Sequence, residues 1–513
     1  MSNRLRACLM SAAAMCGLGL TGAVHAESLA DAIALAYQTN PSLQAQRATQ
    51  RALDESVVQA KSGFRPSVNL NADATDSNLP GILSDRNSSS GSVSVIQPLY
   101  TGGRASAQLS ATQADVLTGQ QNLRRVESNV LSMVVTAYVD VRRTQEAVRI
   151  SQENVAVLRR QLEESQARFD VGDVTRTDVA QAQARYAAAQ SGLSTTQSNL
   201  GIARANYTAV VGQSPGELEP EPSLANLLPL DVDKAFSGAQ ANSPQILAAE
   251  FTEQASRARV AQAKAMLRPS LSFRETFGYS ASELGGKGNQ FGNYTRSVTS
   301  SVSGSVPLFA GGLNASAIRQ ATERNNADRL TLESTRRTVI QSVTQAWNQL
   351  LGARSGMISN QEQVRAAILA YEGVRQEQQV GLRTTLDVLN AAQELSNAQL
   401  QLVGSRRDEY VATAAVLSAM GLLEAKVLTP KVPRYDAVAQ SKRTADTLMG
   451  WAPTETVLHL IDKLGAPAIG KGPAIIPIAT ASVAVTPQDK PPPETAGPPP
   501  LPSIPEAAGP APR

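Results

Sequence analysis

The sequence predicts a mixed α and β protein that is mostly long α-helix and consists of two tandem copies of one structural repeat. Residues 101–211 contain no proline and are rich in Ala, Gln, Ser and Thr, which favours long helices packed through small side chains. Short segments after Pro66 and Pro269 alternate apolar and polar residues, as strands do. The same boundary motifs recur about 200 residues later, which indicates a duplication.

The first 26 residues have the organisation of a cleaved export signal. Basic residues precede an apolar run from Ala7 to Leu20, and Val24-His25-Ala26 fits a signal-peptidase site. The run is too short to be a stable transmembrane helix. Cys8 and Cys16 both lie inside this segment, so the mature chain is predicted to have no disulfide, thiolate metal site or cysteine nucleophile.

Residues 27–230 form the first predicted repeat. A helix is followed by a β-hairpin over 64–100, a long helical hairpin over 101–212 and a connector. Within the β-hairpin, residues 76–90 are predicted to be a loop because they are rich in Asn, Ser and Gly. Helices of about 45 and about 40 residues fit on either side of the turn at Gly172.

Residues 231–430 form the second predicted repeat. A helix is again followed by a β-hairpin, over 267–309, and by a long helical hairpin over 311–421. The glycine-rich run 285–289 is predicted to be the loop of this β-hairpin, because it lacks the spacing of a phosphate-binding loop. Glu275 falls on the apolar face of the first strand, and nothing in the sequence explains it.

Two offsets describe the duplication. Arg65-Pro66-Ser67 matches Arg268-Pro269-Ser270 at an offset of 203 residues. The run Pro98–Gly103 matches Pro307–Gly312 at an offset of 209 residues, which then holds to Gly421. More than a hundred residues therefore align without a gap, which makes the duplication a strong signal.

Residues 431–513 form a proline-rich tail that is predicted to be disordered. The last 84 residues carry 17 of the 28 prolines of the chain. Such a composition favours disorder or polyproline-like segments.

Charge and histidine content exclude several classes of function. The net charge is only +3, with acidic and basic residues interleaved, so no nucleic-acid partner is predicted. His25 lies in the export signal and His459 in the tail, so the repeats contain neither a Ser-His triad nor a histidine metal site. We predict no enzyme activity, no cofactor and no bound metal.

The predicted strands have the length and alternation of outer-membrane strands. Four strands cannot lie in lipid with open edges, and about eight are needed for the smallest filled barrel. Either the hairpins pack in water, or several chains pool strands into one barrel, and three copies would give 12 strands. The polar residues of one face would then line a wet lumen: Ser67, Asn69, Asn71, Ser92, Ser94, Ser297 and Ser301.

One alternative is a periplasmic coiled-coil adaptor or scaffold protein without a pore. It accounts for the long helices. It gives no reason for two amphipathic β-hairpins in register with the duplication.

Both helical hairpins turn at the same motif, a helix stop followed by a helix start. The residues concerned are Gly172, Thr175 and Asp178 in the first copy and Gly381, Thr384 and Asp387 in the second. Each glycine suits the left-handed conformation that ends a helix. Each threonine and the aspartate three residues later fit a capping box that begins the next helix.

Residues 28–428 resemble the TolC family of outer-membrane efflux and type I secretion channels. The likeness is most specific in Val380–Ala391 and in the duplicated boundary motifs. It implies a homotrimer in the outer membrane of a Gram-negative bacterium, in contact with outer-membrane lipid. A 12-stranded transmembrane β-barrel, with four strands from each protomer, would continue into a trimeric α-helical barrel of 12 helices in the periplasm.

The resemblance also implies a function and partners. The channel would be a passive duct for efflux of small molecules or type I secretion of proteins. A periplasmic adaptor (membrane fusion) protein would join it to an inner-membrane transporter, either an ABC transporter or a proton-driven pump. The turns at Gly172, Thr175, Gly381 and Thr384 would contact the adaptor.

By the same resemblance, Asp387 and Asn390 lie at the constriction of the closed periplasmic entrance. Three copies of Asp387 around one axis would form a carboxylate ring that favours cations. Family members often have a second aspartate where this chain has Asn390. We therefore expect three charges rather than six, and weaker block by cations.

The resemblance further implies a gate latch. Arg383 would reach Thr177 and Asp178 of the neighbouring helical hairpin and hold the entrance closed. The tyrosine that binds the aspartate in the family is replaced by Gln378, which leaves an amide hydrogen bond at most. The alternative for Arg383 is a solvated surface charge. Partly exposed contacts of this kind are weak, which suits a gate that a partner opens.

Overall fold

The computed structural model describes residues 26–77, 86–284, 294–429, 435–446 and 452–470. The predicted export signal, except for Ala26, and the predicted loop 285–289 lie outside these ranges.

The described part of the chain follows the predicted order of helix, β-hairpin and long helical hairpin, twice. Its helices are α1 (Leu29–Thr39), α2 (Pro41–Lys61), α3 (Arg104–Asp170), α4 (Arg176–Val211), α5 (Val232–Asn242), α6 (Pro244–Ala265), α7 (Leu313–Gln379), α8 (Thr385–Ala419), α9 (Ala425–Leu428), α10 (Ala437–Asp446) and α11 (Ala452–Lys463). Its strands are β1 (Ser67–Ser77), β2 (Arg86–Tyr100), β3 (Ser270–Leu284) and β4 (Thr295–Ser305).

The two helical hairpins are nearly identical in length. α3 and α7 each have 67 residues, about 100 Å at 1.5 Å per residue, and α4 and α8 have 36 and 35. The predicted length of about 45 residues for the helix before Gly172 is therefore wrong. No proline interrupts α3, and its internal Gly119 provides close packing, since a Cβ there would lie 2.4 Å from the Gln50 side chain.

The four strands form one antiparallel sheet in the order β1-β2-β3-β4. Asn69 is paired with Ser94, Ser94 with Thr276, and Thr276 with Thr299. Paired residues point to the same face of a sheet. By this register all seven residues predicted to be inward share one face, as predicted. Glu275 is paired with Val95 and Ser300, so it does lie on the apolar face.

The predicted loop 76–90 is wrong at both ends. β1 continues to Ser77 and β2 begins at Arg86. The residues Asn87–Ser90 look like a loop by composition, but they pair with β1 on one side and β3 on the other. Pairing on both sides satisfies their backbone groups, and this outweighs their weak strand propensity.

Each helical hairpin has its own apolar core. The larger core joins α1, α3, α4 and α8 around Tyr138 and Tyr207, both fully buried. The Tyr138 hydroxyl shares its hydrogen between the carbonyls of Glu27 and Glu219, at 2.9 and 2.7 Å, which links the connector to the segment just before α1. The second core joins α5, α6, α7 and α8 around Val343.

The C-terminal segment differs from the prediction. α10 and α11 lie within residues 431–513, which were predicted to be disordered, so that prediction is wrong for them. Both helices pack against the body of the protein, α10 on α2 and α11 on α3 and β2. The proline-rich part after residue 470 lies outside the described residues.

Among the described helices, none combines the length and the hydropathy that a membrane crossing requires.

Candidate functional site at the helix tips

The first tip joins α3 to α4 and has the predicted geometry. Gly172 has a φ of +80°, in the left-handed region, and its N–H donates to the Phe169 carbonyl at 2.9 Å. Thr175 begins α4 with a complete capping box. Its hydroxyl and its N–H both donate to Oδ2 of Asp178, at 2.8 and 3.0 Å, and its Oγ accepts the Asp178 N–H at 3.3 Å.

The second tip joins α7 to α8 and repeats the first almost to the tenth of an ångström. Gly381 has a φ of +79°, and its N–H donates to the Gln378 carbonyl at 3.0 Å. The Thr384 hydroxyl and N–H donate to Oδ2 of Asp387 at 2.8 and 3.0 Å. The duplication predicted from sequence thus extends to individual hydrogen bonds.

Asp387 is ionised at neutral pH. The hydroxyl and then the backbone N–H of Thr384 hold the pKa of Asp387 below its usual value of 3.8, and Arg383 acts in the same direction. The carboxylate therefore both begins α8 and supplies a permanent negative charge at the tip.

Arg383 binds within its own tip. Its Nε donates to Oε2 of Glu377 at 2.8 Å, across the turn, and both side chains are about half exposed. The carboxylate of Glu377 also raises the pKa of Arg383. In this chain the structure does not bring Arg383 to Thr177 or Asp178. Glu377 was not among the residues predicted to form the gate, although Glu377 and Arg383 flank the glycine turn in the sequence.

Gln378 and Asp178 are not in contact either. Gln378 is buried, at 3% exposed, and its Nε2 has no hydrogen-bond partner among the described residues. Asp178 is partly exposed, and its carboxylate accepts a hydrogen bond from the capping Thr175 of its own tip. The expected amide hydrogen bond between them is absent from this conformation.

Asn390 has a partner that the sequence did not suggest. The Arg185 Nη2 donates to Oδ1 of Asn390 at 3.1 Å, and this bond joins α4 to α8. One turn away the two helices share an apolar layer with α3, in which Leu158, Ala182 and Leu389 are buried. The positively charged guanidinium of Arg185 therefore lies beside Asn390, which was predicted to be in the pore constriction, and close to Asp387 in the first turn of α8.

The chain thus combines two long helical hairpins, which end in matching capped tips, with one four-stranded sheet. Known proteins share this combination. The model of the outer membrane efflux protein family matches residues 32–213 and 235–422, one region in each repeat. The chain belongs to the outer membrane efflux protein family.

Relatives of this efflux protein cover most of its length. It is 33% identical over 442 residues to the outer membrane efflux protein BepC of Brucella suis biovar 1 (strain 1330), across 86% of this chain and 95% of that one. It is 27% identical to the outer membrane protein TolC of Escherichia coli (strain K12), across 79% and 85% of the two chains. The crystal structure of VceC from Vibrio cholerae has the same fold, with a TM-score of 0.65 at 20% identity over 77% and 96% of the chains.

These relatives confirm the family predicted from the tip and boundary motifs. This efflux protein is an outer-membrane channel protein of the efflux and secretion family, and its relatives are channels rather than enzymes. A periplasmic adaptor without a pore, the alternative prediction, does not agree with a location in the outer membrane.

Proposed function

We propose that three copies of this protein form a passive duct that spans the outer membrane and continues into the periplasm. The observation that carries the proposal is the sheet. Among the described residues β1 and β4 are edge strands, each paired on one side only. One face is apolar and exposed, with Leu70 at 77% and Val302 at 63%. Unpaired edges are not tolerated in lipid, and three such sheets would supply 12 strands.

The two strand-to-helix junctions of the chain support a contact between copies. In the first repeat, Gly102 packs against the turn between α6 and β3, where an added Cβ would lie 2.7 Å from Cβ of Arg268. The duplicated residue in the second repeat is Gly311, which has open space around it, and its neighbour Phe309 is 91% exposed. We infer that this second junction packs against the matching turn of the next copy, beside Arg65.

The same equivalence gives a register for the contact between sheets. Ser94 of β2 is paired with Thr276 of β3. By the duplication, Ser303 of β4 is equivalent to Ser94, 209 residues earlier, and Asp73 of β1 is equivalent to Thr276, 203 residues later. The inferred contact therefore places Ser303 opposite Asp73 of the next copy's β1. Both residues lie on the polar face of their own sheet, so the inferred pairing keeps the two faces continuous.

The long helices also support assembly. α3 and α7 are duplicates of equal length, but α3 has 25 buried residues and α7 only seven. A helix about 100 Å long that is mostly exposed in one chain has a face available to another chain. In a trimer, four long helices per protomer would give 12.

The tips are the surface that we propose for a periplasmic adaptor protein. Three apolar side chains beside the two glycine turns are largely exposed: Val171 at 80%, Val380 at 70% and Leu382 at 76%. Apolar residues grouped on a protruding tip are typical of a contact surface. Through the adaptor, an inner-membrane transporter (ABC or proton-driven) would supply the energy, and the cargo would be small molecules or secreted proteins.

Extraction and conductance test the proposed duct. The protein should stay with outer membranes through an alkaline carbonate wash and, purified into planar bilayers, should give ion-conducting steps. Release by the wash together with silent bilayers would contradict the duct and favour a peripheral protein.

For the closed state we propose that Arg383 binds Thr177 and Asp178 of the neighbouring helical hairpin, with Asp387 and Asn390 at the constriction. The bond from Arg383 to Glu377 in the single chain competes with this latch. Both are exposed contacts, so the cost of exchanging one for the other is small.

Replacing Arg383 with Ser together with Asp178 with Ala should raise single-channel conductance a few-fold, because the latch is lost. Glu377→Gln is the matched control. It frees Arg383 from its own tip, so the channel should stay in its low-conductance state. If the double replacement leaves conductance unchanged, or Glu377→Gln alone raises it, the latch between hairpins is refuted.

A further inference from the structure

A carboxylate from the C-terminal segment occupies the N-terminus of α3. Asp462 is 1% exposed, and its Oδ1 accepts the N–H and hydroxyl of Thr101 at 2.6 and 2.8 Å and the Gly103 N–H at 3.3 Å. Its Oδ2 accepts the N–H and hydroxyl of Ser106 at 3.2 and 2.8 Å. The first N–H groups of a helix have no partner within the helix, so a carboxylate here is stabilised by both hydrogen bonds and the helix dipole.

The hydrogen bonds outweigh the cost of burial. Burial by itself would raise the pKa of Asp462, but the bonds from Thr101 and Ser106 hold the pKa below its usual value of 3.8. The carboxylate is therefore bound in its charged form.

The residues around Asp462 also lie against the segment before β1, the end of β2 and the turn before β3, and we name Ala452–Pro467 the strap. The His459 ring lies edge-on to Phe64, just before β1, with the ring centres 5.3 Å apart. The Tyr100 hydroxyl donates to the Leu464 carbonyl at 3.3 Å. A Cβ at Gly465 would lie 3.4 Å from Nη1 of Arg268, in the turn before β3. The strap thus touches three of the four places where a helix meets the sheet.

A second contact fixes the chain just before α10. The Arg47 guanidinium lies over the rings of Tyr37 and Tyr435, 4.4 and 5.5 Å from their centres. The Tyr435 N–H donates to the Tyr37 hydroxyl at 3.3 Å. The C-terminal segment is therefore held at two separate points on α1–α3.

The duplicated junction in the second repeat lacks the groups that bind the carboxylate. At the offset of 209 residues, Ala310 stands where the first repeat has Thr101, and Ala315 stands where it has Ser106. Both hydroxyls that bind Asp462 are therefore missing. The strap has a docking site in one repeat and none in the other.

We propose that the strap is a built-in carboxylate ligand of the first junction, and that Asp462 fixes the connection of β2 to α3 by binding the N-terminus of α3. This goes beyond the proposed duct and depends on the single chain alone. The second junction lacks the hydroxyls that bind Asp462, so this carboxylate does not hold it.

Hydrogen exchange of the full-length protein in detergent, read by mass spectrometry, tests the proposal. Asp462→Asn should speed exchange in the segments 98–107 and 452–467 roughly ten-fold, which is the scale of a lost helix cap. Exchange in the duplicate segment 305–316 should not change. Lys463→Gln is the matched control, since it alters the charge of the strap without touching the junction.

Ser106→Ala provides a second variant that recreates the alanine of the second repeat. Ser106→Ala should speed exchange at the junction a few-fold in the native background. It should have no further effect after Asp462→Asn, because both replacements disrupt the same contact between Ser106 and Asp462. Unchanged exchange at 98–107 after Asp462→Asn would overturn the proposal. So would a strap that exchanges faster while the junction stays protected, or full additivity of the two replacements.

Discussion

A chain with Asp73→Cys and Ser303→Cys should run as a covalent trimer on a denaturing gel after mild oxidation, and as a monomer after reduction. The inferred register places these two residues opposite each other across the contact between β4 of one copy and β1 of the next. Opposed residues in an antiparallel pair have Cβ atoms about 4.5–5.5 Å apart, close to what a disulfide needs. The natural cysteines lie only in the predicted export signal, so no other thiol competes.

The control moves one cysteine by a single residue. Ala72→Cys with Ser303→Cys places the two thiols on opposite faces, so it should give little cross-linking. A ladder beyond three chains would retain the β4–β1 contact but refute a closed trimer. Monomers alone from both pairs would refute the inferred register.

Opposite changes in ion selectivity are expected at the tips. Asp387→Asn should lower the preference for cations and the block by divalent cations, because it removes the charges of the proposed carboxylate ring but keeps an oxygen for the capping bonds. Arg185→Gln should raise both, because Arg185 binds Asn390 and its positive charge would oppose that of the proposed ring. The measurement is the reversal potential in planar bilayers under a salt gradient, with added divalent cation for the block.

Asp173→Asn is the control for these variants. Asp173 is an exposed acid at the first tip and takes no part in a capping box. It should leave selectivity close to that of the unmodified channel. If all three variants behave alike, the constriction lies away from the second tip.

The sequence by itself determined the features that depend on near neighbours along the chain. The alternation after Pro66 and Pro269 assigned every predicted lumen residue to one face, since side-chain direction in a strand has a period of two. The capping boxes at Thr175 and Thr384 followed from residues three apart. The family followed from the resemblance carried by Val380–Ala391 and by the duplicated boundary motifs.

Long-range packing decided the rest. The predicted length of α3 was too short, and part of what the sequence does not show is the close approach of α2 at Gly119, where an added Cβ would lie 2.4 Å from the Gln50 side chain. The bond from Arg185 to Asn390 joins residues 205 apart, and the bond from Gly103 to Asp462 joins residues 359 apart. No local sequence pattern predicts such a hydrogen-bond partner, because the partner depends on which helix faces the tertiary structure brings together. The composition predicted disorder for the C-terminal segment. In the structure, Asp462 of this segment binds the N-terminus of α3, which the tertiary fold places next to it.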